Sequence, residues 1–445
     1  MSADFVKPET NKRYTIMIWT CLCIVINYID RVNFGVATPT IMEVFKLNST
    51  QIGIMGSAFF IPYMLMMIPT GYMLNRFGPK RVMGGALFMW GLSTMATAFA
   101  FNFGTFFATR IAMGIFEAPG YPSASRVTSV WIPNRERTFW TGFFDGCARI
   151  GMVFAPPLVV WIIINWGWQA SFVVTGGLAV GMGILWQFVY FEPDDHPTVS
   201  KSELAYIRQE EVTDDVGKVV KVPPIPMSRF IFYAPLVRVS LAYGCYLYVW
   251  NTFTAWMPAF FIQARGFDMK TMGLVVMLPY LTAILLELLA GHFLFDKWYR
   301  KGGSLTAIRR TGMSISLFGS ALFICLAIMV EDPFWIVAFL TAFAGISGFG
   351  AGNVQTPPVD LSPYGQAGGF SGFYAFGGAL GSFFAPMATG FMISTEYGFE
   401  GGFFLSACVA ALGAILYCSL RYDRLTLRPA DQALADKIAA SGVYK

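Results

Sequence analysis

Charged residues are scarce in this chain. Asp, Glu, Lys and Arg make up only 13% of its 445 residues, whereas hydrophobic residues make up 56% and the mean hydropathy is +0.56. Soluble domains carry about 25% charged residues, so this composition excludes an ordinary soluble protein. The length suits about a dozen membrane-spanning helices of about 20 to 25 residues each. Because a polar start precedes a full-length apolar segment, no cleavable signal peptide is expected.

Residues suited to metal or redox chemistry are also few. Of only two histidines, His196 lies in a polar loop and His292 near a predicted helix end. A histidine proton relay is therefore not expected. All seven cysteines fall in apolar segments and are interpreted as packing residues, not as disulfides or metal ligands. Without a metal cluster or a nucleophile–histidine pair, an enzyme is not expected. The net charge of +5 is attributed to cytoplasmic loops and predicts no nucleic-acid partner.

Twelve apolar segments predict an all-α polytopic membrane protein with twelve transmembrane helices. Lys and Arg are rare in the loops assigned to the outer side, which hold Lys46, Arg265 and Lys270. This positive-inside bias predicts that both termini are cytoplasmic, in a bacterial inner (plasma) membrane. The segments are 15–38, 51–74, 82–101, 104–131, 139–164, 170–191, 235–262, 271–295, 311–330, 333–357, 367–394 and 402–420.

A long polar stretch divides the chain into two halves of six helices. The sequence TGFFDGCARIGMVFAP from Thr141 is echoed by SGFYAFGGALGSFFAP from Ser371, in the fifth and eleventh segments. Such a repeat predicts two pseudo-symmetric halves. The predicted parts are an N-terminal half (1–192), a cytoplasmic linker (193–230), a C-terminal half (231–421) and a cytoplasmic tail (422–445).

Asp30 and Arg31 lie side by side inside the first apolar segment. Each charge costs about 3 kcal/mol or more at the centre of a membrane. Adjacent helical residues point about 100° apart, so the two side chains cannot face one partner. The pattern favours a site for an ion or an anion over two charges that merely tie helices together.

A second pair of charges, Arg110 and Glu117, lies two turns apart on the fourth segment. At 1.5 Å per residue, Asp30 and Arg110 have matching depths, which predicts that they pair. Arg31 stays charged and suits a carboxylate or sulfonate. Asp30 and Glu117 are the candidate proton carriers, because burial favours the neutral carboxyl and a neighbouring arginine favours the charged one. The alternative is a pair of structural ion pairs.

Three further charges lie in the fifth and eighth segments. Asp145 and Arg149 are one turn apart and could form an intrahelical pair. Alternatively, Arg149 meets Glu287 at similar depth across the two halves and acts as a latch, or Arg149 contacts the substrate. The C-terminal half offers neutral polar side chains, each of which alone is more often a packing contact. The candidates for substrate binding among them are Asn251, Gln355, Ser371 and Tyr374.

Three motifs resemble a known family. GYMLNRFGPKR (71–81) resembles the signature after the second helix of the major facilitator superfamily, although Asn75 replaces the usual aspartate. NYIDRVNFGVA (27–37) and RIAMGIFEAPGYPS (110–123) resemble its anion:cation symporter branch, which includes bacterial galactonate, glucarate, hexuronate and phthalate-type permeases. The resemblance implies the major facilitator fold.

The resemblance also implies roles for individual residues. Arg31 matches the arginine that binds the substrate carboxylate. The other matching positions are the protonated acids Asp30 and Glu117, the nearby Arg110, and the site-lining aromatics Tyr28 and Tyr63. Ala148 and Ala375 stand where galactonate permeases carry amides, which implies a different anion.

The sequence thus predicts a proton-coupled transporter that imports an organic anion by alternating access. The anion is a carboxylate such as a sugar acid or aromatic acid, or a sulfonate. No cofactor is expected beyond the proton gradient, with sodium as an alternative coupling ion, and the protein is expected to be a monomer in the bilayer. An organic anion exchanger and a proton-driven exporter of the same fold remain alternatives. The exporter is disfavoured because GMVFAPPLVV (151–160) lacks the Gly-Pro-x-x-Gly-Gly run common in drug exporters.

Overall fold

The computed structural model describes most of the chain. The described residues are 9–208, 233–295, 297–298, 302, 304–354, 356–357, 361 and 367–420. The predicted tail, most of the predicted linker and the candidate Gln355 lie outside them, as do the side chains of Asn75 and Asp145.

The N-terminal half consists of long apolar helices with local breaks. Pro119 follows the helix Phe103–Glu117 and begins the next helix as its N-cap. Gly78 (φ 72°, ψ 164°) breaks the helix Phe60–Thr97 immediately before Pro79. Such a positive φ is accessible to glycine at little cost. The helices are α1 (Lys12–Phe45), α2 (Ser49–Ala58), α3 (Phe60–Thr97), α4 (Phe103–Glu117), α5 (Gly120–Trp131), α6 (Asn134–Trp166) and α7 (Trp168–Val189).

A short linker helix and the C-terminal half follow. Asp268 caps the helix Met269–Val275 and Ser304 caps the helix Leu305–Met329. Both accept hydrogen bonds from backbone N–H groups, as N-cap residues do. Two π-helical turns, Phe260–Ala264 and Ala290–Phe295, follow the helices Ala234–Ala259 and Met277–Leu289. The helices are α8 (Lys201–Arg208), α9 (Ala234–Ala259), α10 (Met269–Val275), α11 (Met277–Leu289), α12 (Leu305–Met329), α13 (Pro333–Val354), α14 (Ala367–Ile393) and α15 (Gly398–Cys418).

The helices confirm the predicted all-α polytopic architecture. Within the described residues, nine helical segments are long and apolar enough to cross a membrane. The other three predicted spans coincide with the second part of α3, the α4–α5 pair and α9. The twelve predicted spans are therefore all accounted for by helices.

The two halves contact each other between α2 and α14. Thr50 donates a hydrogen bond of 2.8 Å to Ser394, and Ser57 donates one of 2.6 Å to the carbonyl of Phe383. Gly53 also packs directly against the backbone at Pro386. These contacts join α2 of one half to α14 of the other.

The linker helix α8 is docked on the N-terminal half. The Glu203 side chain is fully buried and accepts hydrogen bonds of 3.1 Å from the backbone N–H groups of Lys12 and Arg13. The Arg13 guanidinium also pairs with it at 3.1 Å. Glu203 therefore satisfies the free N–H groups at the start of α1 and fixes the linker to that helix.

Candidate functional site

Arg31 and Glu117 form an ion pair between α1 and α4. The Nε atom of Arg31 bonds Oε1 of Glu117. The arginine side chain is 23% exposed, whereas the glutamate side chain is fully buried. Arg31 is thus the partly exposed partner, and its Nη2 atom is buried without a hydrogen-bond partner among the described residues.

Aromatic rings surround the Arg31 guanidinium. Its carbon lies 4.9 Å from the ring centre of Tyr63, 5.2 Å from that of Tyr28 and 5.3 Å from that of Phe59. The Tyr121 hydroxyl donates a 3.2 Å hydrogen bond to the Tyr28 hydroxyl. Rings at this distance stabilise the cation and lower the local dielectric, which strengthens its attraction for an anion. The structure thus brings Tyr28 and Tyr63 to Arg31.

The predicted direct pair of Asp30 with Arg110 is not formed, although Arg110 interacts electrostatically with Asp30 at longer range. Instead, Oδ2 of Asp30 accepts hydrogen bonds from Trp90 (2.7 Å) and Thr94 (3.5 Å) on α3. Arg110 lies over the Phe34 ring at 4.3 Å. The matching depths were insufficient because Asp30 points about 100° away from Arg31, toward α3. Arg110 still interacts electrostatically with Glu117 at longer range.

A buried polar network continues from the Asp30 region to α7. Asn33 donates a 3.1 Å hydrogen bond to Thr175 and accepts one of 2.9 Å from Ser171. Thr175 in turn interacts with the Asp30 carboxylate. The sequence analysis missed this network, although Asn33 lies one turn after Asp30 on the same face of α1. Asp30 is therefore tied to the helices behind α1, away from Arg31.

Arg149 and Glu287 meet across the two halves. The Nε atom of Arg149 on α6 lies 2.6 Å from Oε2 of Glu287 on α11, which is one of the three contacts that the sequence left open for Arg149. Their side chains are 15% and 22% exposed. Asp145, the third residue of the predicted latch, has a side chain outside the described residues.

The candidates in the C-terminal half are engaged in local contacts. Asn251 donates hydrogen bonds to the Leu247 carbonyl (2.8 Å) and to Ser382 (3.1 Å). Tyr374 is buried, and its ring stacks on Tyr243 with centres 4.2 Å apart. Ser371 is exposed. In this conformation the contacts of Asn251 and Tyr374 hold helices together within their own half.

Comparisons with known proteins identify the family of the chain. The family model described as Major Facilitator Superfamily matches residues 20–308 and 302–439. The probable sulfoacetate transporter of Cupriavidus necator is 31% identical over 92% of this chain and 94% of its own. The D-galactonate transporter of Escherichia coli O6:H1 is 31% identical over 93% of this chain and 96% of its own. A probable galactarate/D-glucarate transporter of Escherichia coli K12 is 29% identical over 96% of this chain and 98% of its own.

Solved structures share the fold. A D-xylose-proton symporter superimposes with a TM-score of 0.74 at 14% identity, over 93% of this chain and all of its own. A bacterial homologue of the lysosomal transporter Spinster gives 0.68 at 16% identity, over 98% of both chains. The fold, the family model and the relatives converge: this chain belongs to the Major Facilitator Superfamily, a family of membrane transporters and not of enzymes.

Proposed function

We propose that this protein imports an organic anion together with protons and that Arg31 binds the acid group of the anion. The observation that carries the proposal is the Arg31–Glu117 ion pair, in which the arginine is partly exposed and the glutamate is buried. An anion that reaches Arg31 encounters a cation that already contacts three aromatic rings. The relatives named as transporters of sulfoacetate, galactonate and galactarate/glucarate support an organic acid as substrate.

Coupling to protons follows from competition for Arg31. A substrate carboxylate or sulfonate competes with Glu117 for the same guanidinium. A fully buried carboxylate that loses its cation is costly to keep charged, so Glu117 takes up a proton instead. Binding of the anion and binding of the proton thereby favour each other. Release of both on the inner side restores the ion pair.

Asp30 has a different place in this scheme. It is held by Trp90 and Thr94, away from Arg31, so it does not compete with the substrate. We assign it as the second proton-coupling acid, which changes charge when α1 moves against α3. Arg110 contributes a positive charge near Glu117.

Transport also needs the two halves to separate on the outer side. We propose that the Arg149–Glu287 pair is a latch of the outer-closed state, because it joins α6 of one half to α11 of the other. The concentration of Lys and Arg on one side supports cytoplasmic termini in a bacterial inner membrane. A monomer suffices for this mechanism, since one chain supplies both halves.

The test is uptake by the purified protein in liposomes. A thermal-shift screen of sugar acids, aromatic acids, dicarboxylates and sulfonates first identifies an anion that binds, and its labelled form is then used. An inward proton gradient should drive accumulation above equilibrium, and an inward sodium gradient without a proton gradient should not. Uptake that depends only on a counter-anion inside the vesicle would instead identify the exchanger.

A further inference from the structure

We propose that Arg149 is a second anion anchor, so that the protein prefers organic dianions whose two acid groups bind Arg31 and Arg149. The inference rests on the proposed function, in which Arg31 binds the first acid group of the substrate. It assigns Arg149 a role in selecting the substrate, in addition to joining the halves.

Helix packing places the two arginines on neighbouring helices close to Tyr28. A Cβ atom at Gly151 would lie only 2.6 Å from the carbonyl oxygen of Val25 and 3.0 Å from Cβ of Tyr28. This close approach brings α6 against α1 at the level of Tyr28. Arg149 precedes Gly151 by two residues, and Arg31 follows Tyr28 by three. At 1.5 Å per residue, the five residues of offset place the two arginines about 8 Å apart in height, which a short diacid and two arginine side chains can span.

Exposure distinguishes the second ion pair from the first. Glu117 is fully buried, whereas Glu287 is 22% exposed and Arg149 is 15% exposed. A displaced Glu287 can therefore be hydrated, which avoids the cost of several kcal/mol for an unpaired buried charge. A ligand can thus replace Glu287 at Arg149 without a change in the protonation of Glu287.

The chemistry of the pair explains the preference for a dianion. A guanidinium binds carboxylates and sulfonates through paired N–H groups, and Glu287 already occupies this position as an internal carboxylate. The second acid group of a dianion competes with Glu287, whereas a monoanion bound at Arg31 has no group to do so. Because Glu287 belongs to the opposite half, its displacement by a dianion also loosens the contact between the halves.

Matched ligands test the inference on the purified full-length protein by calorimetry. The pairs are D-gluconate and D-glucarate, benzoate and phthalate, and acetate and sulfoacetate, which differ in having one or two acid groups. The dianion of at least one pair should bind about tenfold or more tightly than its monoanion, equivalent to about 1.4 kcal/mol. Absence of binding by all three dianions, or equal affinity within every pair, would overturn the inference.

Variants separate a binding role from a structural one. Arg149→Gln should reduce the dianion preference, measured as the ratio of the two affinities, to less than about twofold. Glu287→Gln should strengthen dianion binding, because the competing carboxylate is gone. Arg265→Gln, which breaks the outer Arg265–Glu400 pair (3.6 Å), is the control and should keep the preference. An unchanged preference in Arg149→Gln would overturn the inference, as would equal losses for both ligands.

A further variant separates this inference from the proposed function. Arg31→Gln should abolish binding of both members of a pair. If it does so while Arg149→Gln keeps the preference, only the second anchor is refuted. If Arg31→Gln leaves both affinities unchanged, the proposed function itself fails.

Discussion

The indole Nε1 of Trp90 donates a hydrogen bond of 2.7 Å to Oδ2 of Asp30, so a buried carboxylate on α1 is held from α3. Both residues are almost fully buried. Removing the donor of a buried, charged acceptor destabilises the protein by about 1–3 kcal/mol or more. The bond thus links the packing of α1 and α3 to the charge state of Asp30.

Trp90→Phe should impair proton-driven uptake at least about tenfold, because it removes this donor while keeping an aromatic ring in the core. The control is Trp186→Phe. Trp186 is equally buried, but its Nε1 bonds the Pro79 carbonyl at 3.4 Å and no carboxylate. Uptake of a labelled anion into liposomes should remain within about twofold for the control. Equal uptake by the two variants would remove Trp90 from the coupling mechanism.

Arg31→Lys should weaken anion binding by about 10- to 100-fold, because an ammonium group lacks the planar fork that binds an acid group through two N–H donors. Calorimetry with the anion found in the thermal-shift screen measures the loss. Arg208→Lys alters an exposed arginine paired with Asp194 and should have wild-type affinity. Retained affinity in Arg31→Lys would show that the acid group binds elsewhere.

Gly53→Val should prevent closure of the outer side. A Cβ atom there would lie 2.5 Å from the carbonyl oxygen of Pro386, which belongs to the backbone of α14 and cannot easily yield. Uptake should fall at least about tenfold, and hydrogen exchange at the outer ends of α2 and α14 should increase. Gly177→Val is the matched control, since no heavy atom lies within 4 Å of its Cβ position. Normal exchange in Gly53→Val would show that this contact does not close the pathway.

Glu203→Gln should destabilise the protein by about 1–3 kcal/mol, because the buried Arg13 then keeps, among the described residues, only the 3.5 Å ion pair with Glu136. Thermal unfolding in detergent measures the change. Asp194→Asn breaks an exposed ion pair and should cost less than about 1 kcal/mol. Equal stability of the two variants would mean that the docking of α8 contributes nothing measurable.

The sequence predicted the helices well because the membrane imposes long apolar segments on it. It also offered the meeting of Arg149 with Glu287 as one of three alternatives, because these two charges lie at similar depth on helices of opposite halves. Depth alone failed for Asp30 and Arg110, because residue counting gives the height of a side chain and not the direction in which it points. The hydrogen bonds of Trp90, Thr94 and Thr175 decide that direction, and they depend on how α3 and α7 pack behind α1.

The C-terminal half was harder to predict for a related reason. Asn251 and Tyr374 are polar groups in apolar helices, a pattern shared by substrate-binding and helix-packing residues. Their bonds to Ser382 and the Val354 carbonyl become visible only in the packed structure. Arg31 was identifiable because an unneutralised arginine in a membrane helix is far more costly than an amide or a phenol.

The central claim is that Glu117 couples the anion to the proton by exchanging its arginine with the substrate. Its most direct test is Glu117→Gln in liposomes, with proton-driven accumulation and counterflow of the same labelled anion measured side by side. The account predicts that this variant loses accumulation under an imposed pH gradient but retains counterflow, since its Arg31 still binds the anion. Accumulation at the wild-type level in Glu117→Gln, or wild-type uptake that ignores the gradient, would contradict it.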